Sequence, residues 1–366
     1  MLRNKTVAVV VPAYNEESQI QMVLSTMPSF VDRIIVINDN SNDKTEEVVK
    51  QYILTENEST STKLEKSSDK IKSNQFNRAD RVVQDLYEEE VKDLTPFEIV
   101  AGNIYEDRIV LINHKVNAGK GAGIVTGYKV SRDLGIDCVA TMDGDGQMDP
   151  DELESICLPI IEDNIDYVKG NRLIHRSALL VIPKVRYIGN SILSILTKLA
   201  SGYWRVSDSQ TGYTAIGNKA LNSIRIHEIY KKYGYPNDVL VKLNIAMCSI
   251  KEVEIKPVYD VGEKSKMKIW KIIPTLSWLL FKSFFKRLWL KYFFRDFHPL
   301  FLLYNLSFLL GFGTIAYGIK IVNYWLVGTV INPLTILAFS FLCISGFQSL
   351  LFAMWMDMQD NERLYK

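Results

Sequence analysis

The chain has 366 residues, with 43 Lys and Arg against 42 Asp and Glu, and 47% of it is hydrophobic. That length suits one large domain with an appendage or two modest ones, and so even a charge balance argues against a nucleic-acid partner. Cys138, Cys157, Cys248 and Cys343 lie far apart without paired spacing, which excludes a disulfide framework or zinc site and suits a reducing compartment.

Residues 1–6 lead directly into a strand-like run, with no signal peptide ahead of it. Residues 7–11 are continuously apolar and β-branched, the pattern of a strand buried on both faces. Pro12-Ala13-Tyr14-Asn15-Glu16 breaks the run, and residues 20–27 read as a helix. Residues 33–37 repeat the buried-strand pattern, end in Asn38-Asp39-Asn40-Ser41, and precede a helix at 44–52. Strands alternating with helices predict a mainly parallel sheet with crossover helices on both faces.

Residues 55–80 are rich in Ser, Thr, Asn, Lys and Glu and read as a loosely attached polar insertion. With the helix and short extended piece expected over 81–101, the inserted stretch covers about 55–105. Strands resume at 108–112 and 138–142, separated by the glycine turn 117–123, which opens a helix. Helices are expected at 151–161 and 186–199, and extended segments at 167–172, 212–216 and 250–258.

From residue 264 the composition changes. Lys264, Lys271, Lys286, Arg287 and other bases alternate with Trp270, Trp278, Phe281 and Trp289, as in a helix lying on a membrane surface. Residues 299–319 and 321–356 carry no charge, and Asn332-Pro333 marks a helix start. A membrane span needs about 20 apolar residues, so two spans are predicted, 299–319 and 333–356. The basic belt places the catalytic domain and the tail on the cytoplasmic side. The domains expected are 1–260, an interface segment 261–298, and a membrane hairpin with tail, 299–366.

The chemistry gathers at strand ends, where ligands bind in a parallel sheet. Asp143 and Asp145, one residue apart after a buried strand, can face one hard cation that bridges two phosphates. Gln147 adds a neutral oxygen, and the plainer alternative is a solvated turn in which Asp149 caps the next helix with Pro150 at its first position. The turns at 12–16 and 38–41 share that sheet edge; a carboxylate there accepts hydrogen bonds from a base or ribose, and Tyr14 offers a flat face. Lys120, among glycines at a helix start, can meet phosphate oxygens, although the run lacks the spacing of a Walker A loop.

The runs Val9-Val10-Val11-Pro12-Ala13-Tyr14-Asn15-Glu16, Asn117-Ala118-Gly119-Lys120-Gly121 and Met142-Asp143-Gly144-Asp145-Gly146-Gln147 resemble family-2 glycosyltransferases of the GT-A fold over about residues 5–260. Gly170-Asn171-Arg172, the 208–213 segment and Gly262 with Ser265-Lys266 are similar to the polyprenyl-phosphate branch. That branch includes dolichyl-phosphate mannose synthases and membrane-anchored polyprenyl-phosphate glucosyltransferases.

The resemblance implies a GT-A mixed, mainly parallel sheet. It implies an inverting transferase that moves a sugar from a nucleotide diphosphate to a polyprenyl or dolichyl phosphate. Asp143, Asp145 and Gln147 would hold Mg²⁺ or Mn²⁺; Pro12, Tyr14, Glu16 and Asp39 would hold the nucleoside. Arg172 and Arg186, with Ser265 and Lys266, would receive the acceptor phosphate, a task suited to a guanidinium fork. Asp208 and Asp238 would flank the sugar or acceptor; either can instead cap a helix or hold an Arg. Tyr259 stands near where the mannose synthases carry an Arg, which favours a UDP-sugar over GDP-mannose.

A monoester phosphate is already anionic at neutral pH and needs no strong base, whereas a hydroxyl acceptor would need one, with Asp238 the candidate. A scaffold without activity is the reading from another class, and intact Asp143, Asp145 and Gln147 argue against it. A homo-oligomer is left open.

Overall fold

The computed structural model describes residues 1–56, 74, 76–259 and 269–366. In chain order the first elements are β1 (Val7–Ala13), α1 (Ile20–Ser25), β2 (Arg33–Asn38), α2 (Thr45–Glu56), α3 (Arg78–Asp93), β3 (Phe97–Ala101) and β4 (Ile109–His114). Then come α4 (Lys120–Asp133), β5 (Cys138–Thr141), α5 (Leu153–Ile161), β6 (Tyr167–Asn171), α6 (Ala178–Val181), α7 (Lys184–Ser201) and β7 (Thr214–Gly217). The last are α8 (Asn218–Ser223), α9 (Tyr235–Ile245), β8 (Ile250–Glu254), α10 (Ile269–Trp289), α11 (Pro299–Val327) and α12 (Pro333–Glu362).

The eight strands form one mixed, mainly parallel sheet in the order β3-β4-β2-β1-β5-β7-β6-β8, the fold class expected. β4, β2, β1 and β5 are mutually parallel, and β7 runs against both β5 and β6. Alternate residues of the apolar strands serve opposite faces, as the two-residue strand period requires. Val10, Ile35 and Ile37 pack with Ile124, Val125 and Tyr128 of α4 on one face. Val9, Val11 and Val36 pack with α1, α2 and α5 on the other. β1 has β2 on one side and β5 on the other, so the winding reverses there and opens a crevice at the strands' carboxyl ends.

The 55–105 stretch is partly built into this sheet. β3 pairs antiparallel with β4 as the edge strand, and Arg132 of α4 holds Glu90 of α3 at 2.6 Å. Residues 57–73 and 75 lie outside the described residues, as do Ser265 and Lys266.

α4 lies unusually close to β1. A Cβ added at Gly127 would fall 2.2 Å from Val10 Cγ1 and 2.6 Å from its Cγ2. The Gly127→Ala variant is therefore expected to lose about 1–3 kcal/mol by overpacking, read as a lower unfolding temperature in detergent.

α10 divides the expected interface face in two. Leu276 and Leu280 are buried with Leu193 and Ala200 of α7 and Val241 of α9, while Trp278 and Phe281 stay exposed. α11 and α12 are long and apolar enough to cross a membrane, at 29 and 30 residues; only 22% and 11% of their most apolar stretches are buried. The chain is thus membrane-associated. Cys343 of α12 is exposed, unlike the other three cysteines.

The first long helix does not end at 319. It continues through Lys320, whose ammonium lies over the rings of Tyr317 and Tyr324 at 5.9 and 5.8 Å, and ends where Gly328 adopts φ +72°. Asn332 then caps α12 by accepting from Leu334 N–H at 2.9 Å, with Pro333 at the first position.

Both ends of the hairpin return to the sheet domain. Arg287 donates to both Asp357 oxygens at 2.7 and 2.8 Å and to the carbonyls of Ala200 and Leu199. After α12 the tail lies along β8: Ile250 N–H donates to Leu364 O at 2.7 Å, and Arg205 N–H donates to the Tyr365 hydroxyl at 2.8 Å.

Candidate functional site

At the crevice beside β1 the structure has a cleft of about 500 Å³, a volume suited to a small ligand. Pro12 and Ala13 come from the end of β1, Asp39 from just beyond β2, and Asp143 and Asp145 from the turn after β5. Tyr14, Glu16 and Lys120 also line it, so seven of the residues expected at the donor site and the metal site converge there.

The asparagine-rich turns are built to stitch two strand ends together. Asn15 and Asn40 take φ +56° and +57°, a region Asn tolerates better than most residues. Asn15 N–H donates to Ser41 Oγ at 3.0 Å, and Asn42 N–H donates back to Asn15 Oδ1 at 2.9 Å. Glu16 N–H donates to Thr45 Oγ1 at 2.9 Å, which fixes the Tyr14-Asn15-Glu16 turn against α2.

Asp39 is buried and heavily engaged. Its Oδ1 meets His114 Nδ1 at 2.7 Å and Ala118 N–H at 3.0 Å, and its Oδ2 accepts from Gly119 N–H at 2.7 Å. Burial opposes its charge, but the His114 contact and the two backbone donors hold the carboxyl below its ordinary value. His114 in turn reaches Thr126 Oγ1 of α4 at 2.8 Å. Asp39 thus orders the glycine turn as well as lining the cleft. Sequence reasoning missed His114, which ends an apolar strand and carries no local signal.

The acidic turn is poised to take positive charge. Asp143 Oδ1 is buried with no hydrogen-bond partner, while its Oδ2 pairs with the Lys120 ammonium. Burial, and then Asp143, push the Asp145 carboxyl up to about 6. Asp145 Oδ1 accepts from Gln147 N–H at 3.0 Å, and the Gln147 amide nitrogen is buried without a partner. Asp149 also caps the following turn, accepting from Asp151 N–H at 3.0 Å with Pro150 at the first position, as the plainer alternative expected. Among the described residues no three His, Cys, Asp or Glu side chains converge. Two carboxylates beside an amide instead match a hard cation that takes its remaining ligands from substrate phosphates and water.

The other expected residues are placed differently. Arg172 is turned inward: Nε and Nη2 grip the two oxygens of fully buried Asp208 at 2.8 and 3.1 Å. Burial opposes both charges, but each partner offsets it, so Arg172 is raised and Asp208 lowered from their ordinary values. Burial also pushes nearby Lys169 down to about 8, against the pull of Asp208 and Glu252. Asp238 does not reach the cleft. Its Oδ2 accepts from Tyr230 N–H at 2.8 Å and from Lys242 Nζ at 2.5 Å. Arg186 lies in the first turn of α7. Two further lining residues, Lys232 and Tyr233, come from the segment before α9 and were not foreseen; a Lys-Lys-Tyr-Gly-Tyr run marks only a turn.

Known proteins resemble the chain over much of its length. Residues 8–84 and 80–225 match Glycosyl transferase family 2. The UDP-N-acetylglucosamine–dolichyl-phosphate N-acetylglucosaminyltransferase of Methanococcus voltae is 28% identical over 259 residues, 70% of this chain and 88% of that protein. An uncharacterized protein of Methanocaldococcus jannaschii is 25% identical over 259 residues, 70% of this chain and 84% of that one. A crystal structure of glucosyl-3-phosphoglycerate synthase from Mycobacterium tuberculosis aligns over 78% of this chain and 80% of its own, with 16% identity and a TM-score of 0.45. With the family match running through the strands that carry Tyr14, Asp39, Asp143 and Asp145, the chain belongs to glycosyl transferase family 2.

Proposed function

We propose that this glycosyltransferase uses Mg²⁺ or Mn²⁺ to move a sugar from a UDP-sugar to a polyprenyl or dolichyl phosphate, with inversion, at the cytoplasmic face of a membrane. The observation that carries the reading is a cleft with a partnerless buried Asp143 oxygen, on a domain clamped to two mostly exposed apolar helices. The Methanococcus voltae relative, whose name gives UDP-N-acetylglucosamine and dolichyl phosphate, supports both the donor and the acceptor class.

Each residue has a task in this reading. Pro12, Tyr14 and Glu16 form the nucleoside wall, and Asp39 holds the Ala118 and Gly119 amides in place. Asp143 and Asp145 would hold the cation, with Gln147 beside them. A bound cation would stabilise the charge that develops on the leaving diphosphate. Lys120, kept protonated by Asp143 and Asp145 against its own burial, adds a fixed positive charge.

The acceptor side is membrane-facing. Ile188, Ile192 and Ile195 form an exposed stripe along α7, and Leu179 and Leu180 of α6 are exposed before it. α7 packs on α10, which itself carries exposed Trp278 and Phe281. An acceptor with a hydrocarbon tail suits such a surface. The candidate base for a hydroxyl acceptor, Asp238, is engaged by Tyr230 and Lys242, and Asp208 is gripped by Arg172. That favours the phosphate acceptor, which is anionic already.

The test combines purified protein, Mn²⁺, a short polyprenyl phosphate and separate UDP-N-acetylglucosamine, UDP-glucose and GDP-mannose. A glycosyl-phosphate lipid is expected by mass spectrometry from a UDP-sugar and should vanish with chelator. Metal-dependent release of nucleotide without a lipid product would sink the acceptor assignment. A chelator-insensitive product would remove the cation.

A further inference from the structure

Residues 230–234 lie over the glycine turn rather than beside it. A Cβ at Gly121 would fall 2.3 Å from the Tyr230 carbonyl oxygen, and one at Gly119 would fall 2.8 Å from that of Lys231. Glycine at both positions lets the two backbones meet. Ala122 N–H donates to Lys231 O at 3.0 Å, and Tyr235 N–H donates to Lys232 O at 3.1 Å, closing the turn. Asp238 secures the segment's start through Tyr230 N–H.

This backbone course delivers Lys232 and Tyr233 to the cleft that holds Tyr14, Asp39 and Asp143. Tyr233 is 47% exposed and lines the same cleft as Lys120. Lys232 is exposed as well, and among the described residues its ammonium has no hydrogen-bond or ion-pair partner. The cleft's other lysine, Lys120, is tied to Asp143. Four carboxylates, Glu16, Asp39, Asp143 and Asp145, line the same space, so a polyanion entering it meets net negative charge unless cations are added. Among the described residues that line the cleft, Lys232 is the side chain left to supply one.

We propose that residues 230–234 form a strap across the donor site, in which Lys232 pairs with the phosphates of a nucleoside diphosphate and Tyr233 covers the donor beside Lys120. Asp238 is a positioning residue that sets the strap. This rests on the reading of the cleft as a nucleotide-sugar site.

Titration calorimetry of the full chain in detergent with Mn²⁺ tests it, using UDP, and uridine by competition. Lys232→Ala should weaken UDP binding about tenfold or more, the scale of a charge-assisted contact, and leave uridine binding unchanged. Lys232→Arg should restore most of the UDP affinity. Asp238→Asn should raise the KM for the donor without moving the pH profile of kcat. If the wild type binds no UDP, the nucleotide-site reading falls and the strap with it. If the wild type binds UDP and Lys232→Ala binds it equally well, the strap alone is overturned. Equal losses for UDP and uridine would overturn the pairing with phosphate, and a shifted pH profile for Asp238→Asn would overturn its positioning role.

Discussion

Replacing Asp145 by Asn is expected to cut sugar transfer by on the order of 10²–10³-fold, the scale of losing one preorganised electrostatic contact, while leaving the folded state as stable as before. The two halves of that expectation have one origin. The Asp145 carboxylate is half-buried beside Asp143, and that environment raises its pKa to about 6. A neutral amide of the same shape keeps the oxygen that accepts from Gln147 N–H and removes a charge that burial disfavours. Stability without cation should therefore hold or rise slightly. Mn²⁺ with UDP should raise the unfolding temperature of the wild type by mass action and do so far less for Asp145→Asn. Unfolding curves with and without Mn²⁺ and UDP, beside a transfer assay, check both halves. A variant that keeps full activity would remove Asp145 from the reaction.

Arg287→Met is expected to cost about 3–5 kcal/mol, the usual penalty for breaking a buried ion pair from one side. Arg287 and Asp357 are both fully buried, and the guanidinium also serves two carbonyls at the end of α7. Removing it leaves Asp357 charged, with the Tyr292 hydroxyl, the Trp204 indole and the Asn361 amide bonded to it and the Lys291 ammonium nearby. The double variant Arg287→Met with Asp357→Leu should recover much of the loss, since an apolar pair of similar volume carries no desolvation penalty. Unfolding in one detergent, followed by tryptophan fluorescence, gives the three values. A single variant as stable as the wild type would show that water reaches the pair.

The central strands could be read from the sequence because β1, β2, β4 and β5 are buried on both faces, which leaves unbroken apolar runs. α9 could not. Its fully buried run over residues 235–241 includes Asn237 and Asp238, so no apolar stripe separates it from a strand or loop. Lys320 imitates a helix boundary, yet its stem lies along α11 between two tyrosines. At the site, Asp143 and Asp145 were legible because their position follows from the strand before them. Asp39 was legible as a cleft residue but not as the anchor of the glycine turn, since its partner His114 lies 75 residues away. For Asp208 and Asp238 the residue types allow a reacting group or an ion-pair partner equally. Only the fold reveals that Arg172 and Lys242 claim them.

The tail along β8 bears on the order of events during synthesis. Leu364 and Tyr365 follow both long helices, so they leave the ribosome after the hairpin has been made. Until then β8 is an open sheet edge, with Ile250 N–H unpaired and exposed to association with other chains. The last bridge of the sheet, between Ile250 and Tyr365, therefore closes only after both long helices have been made.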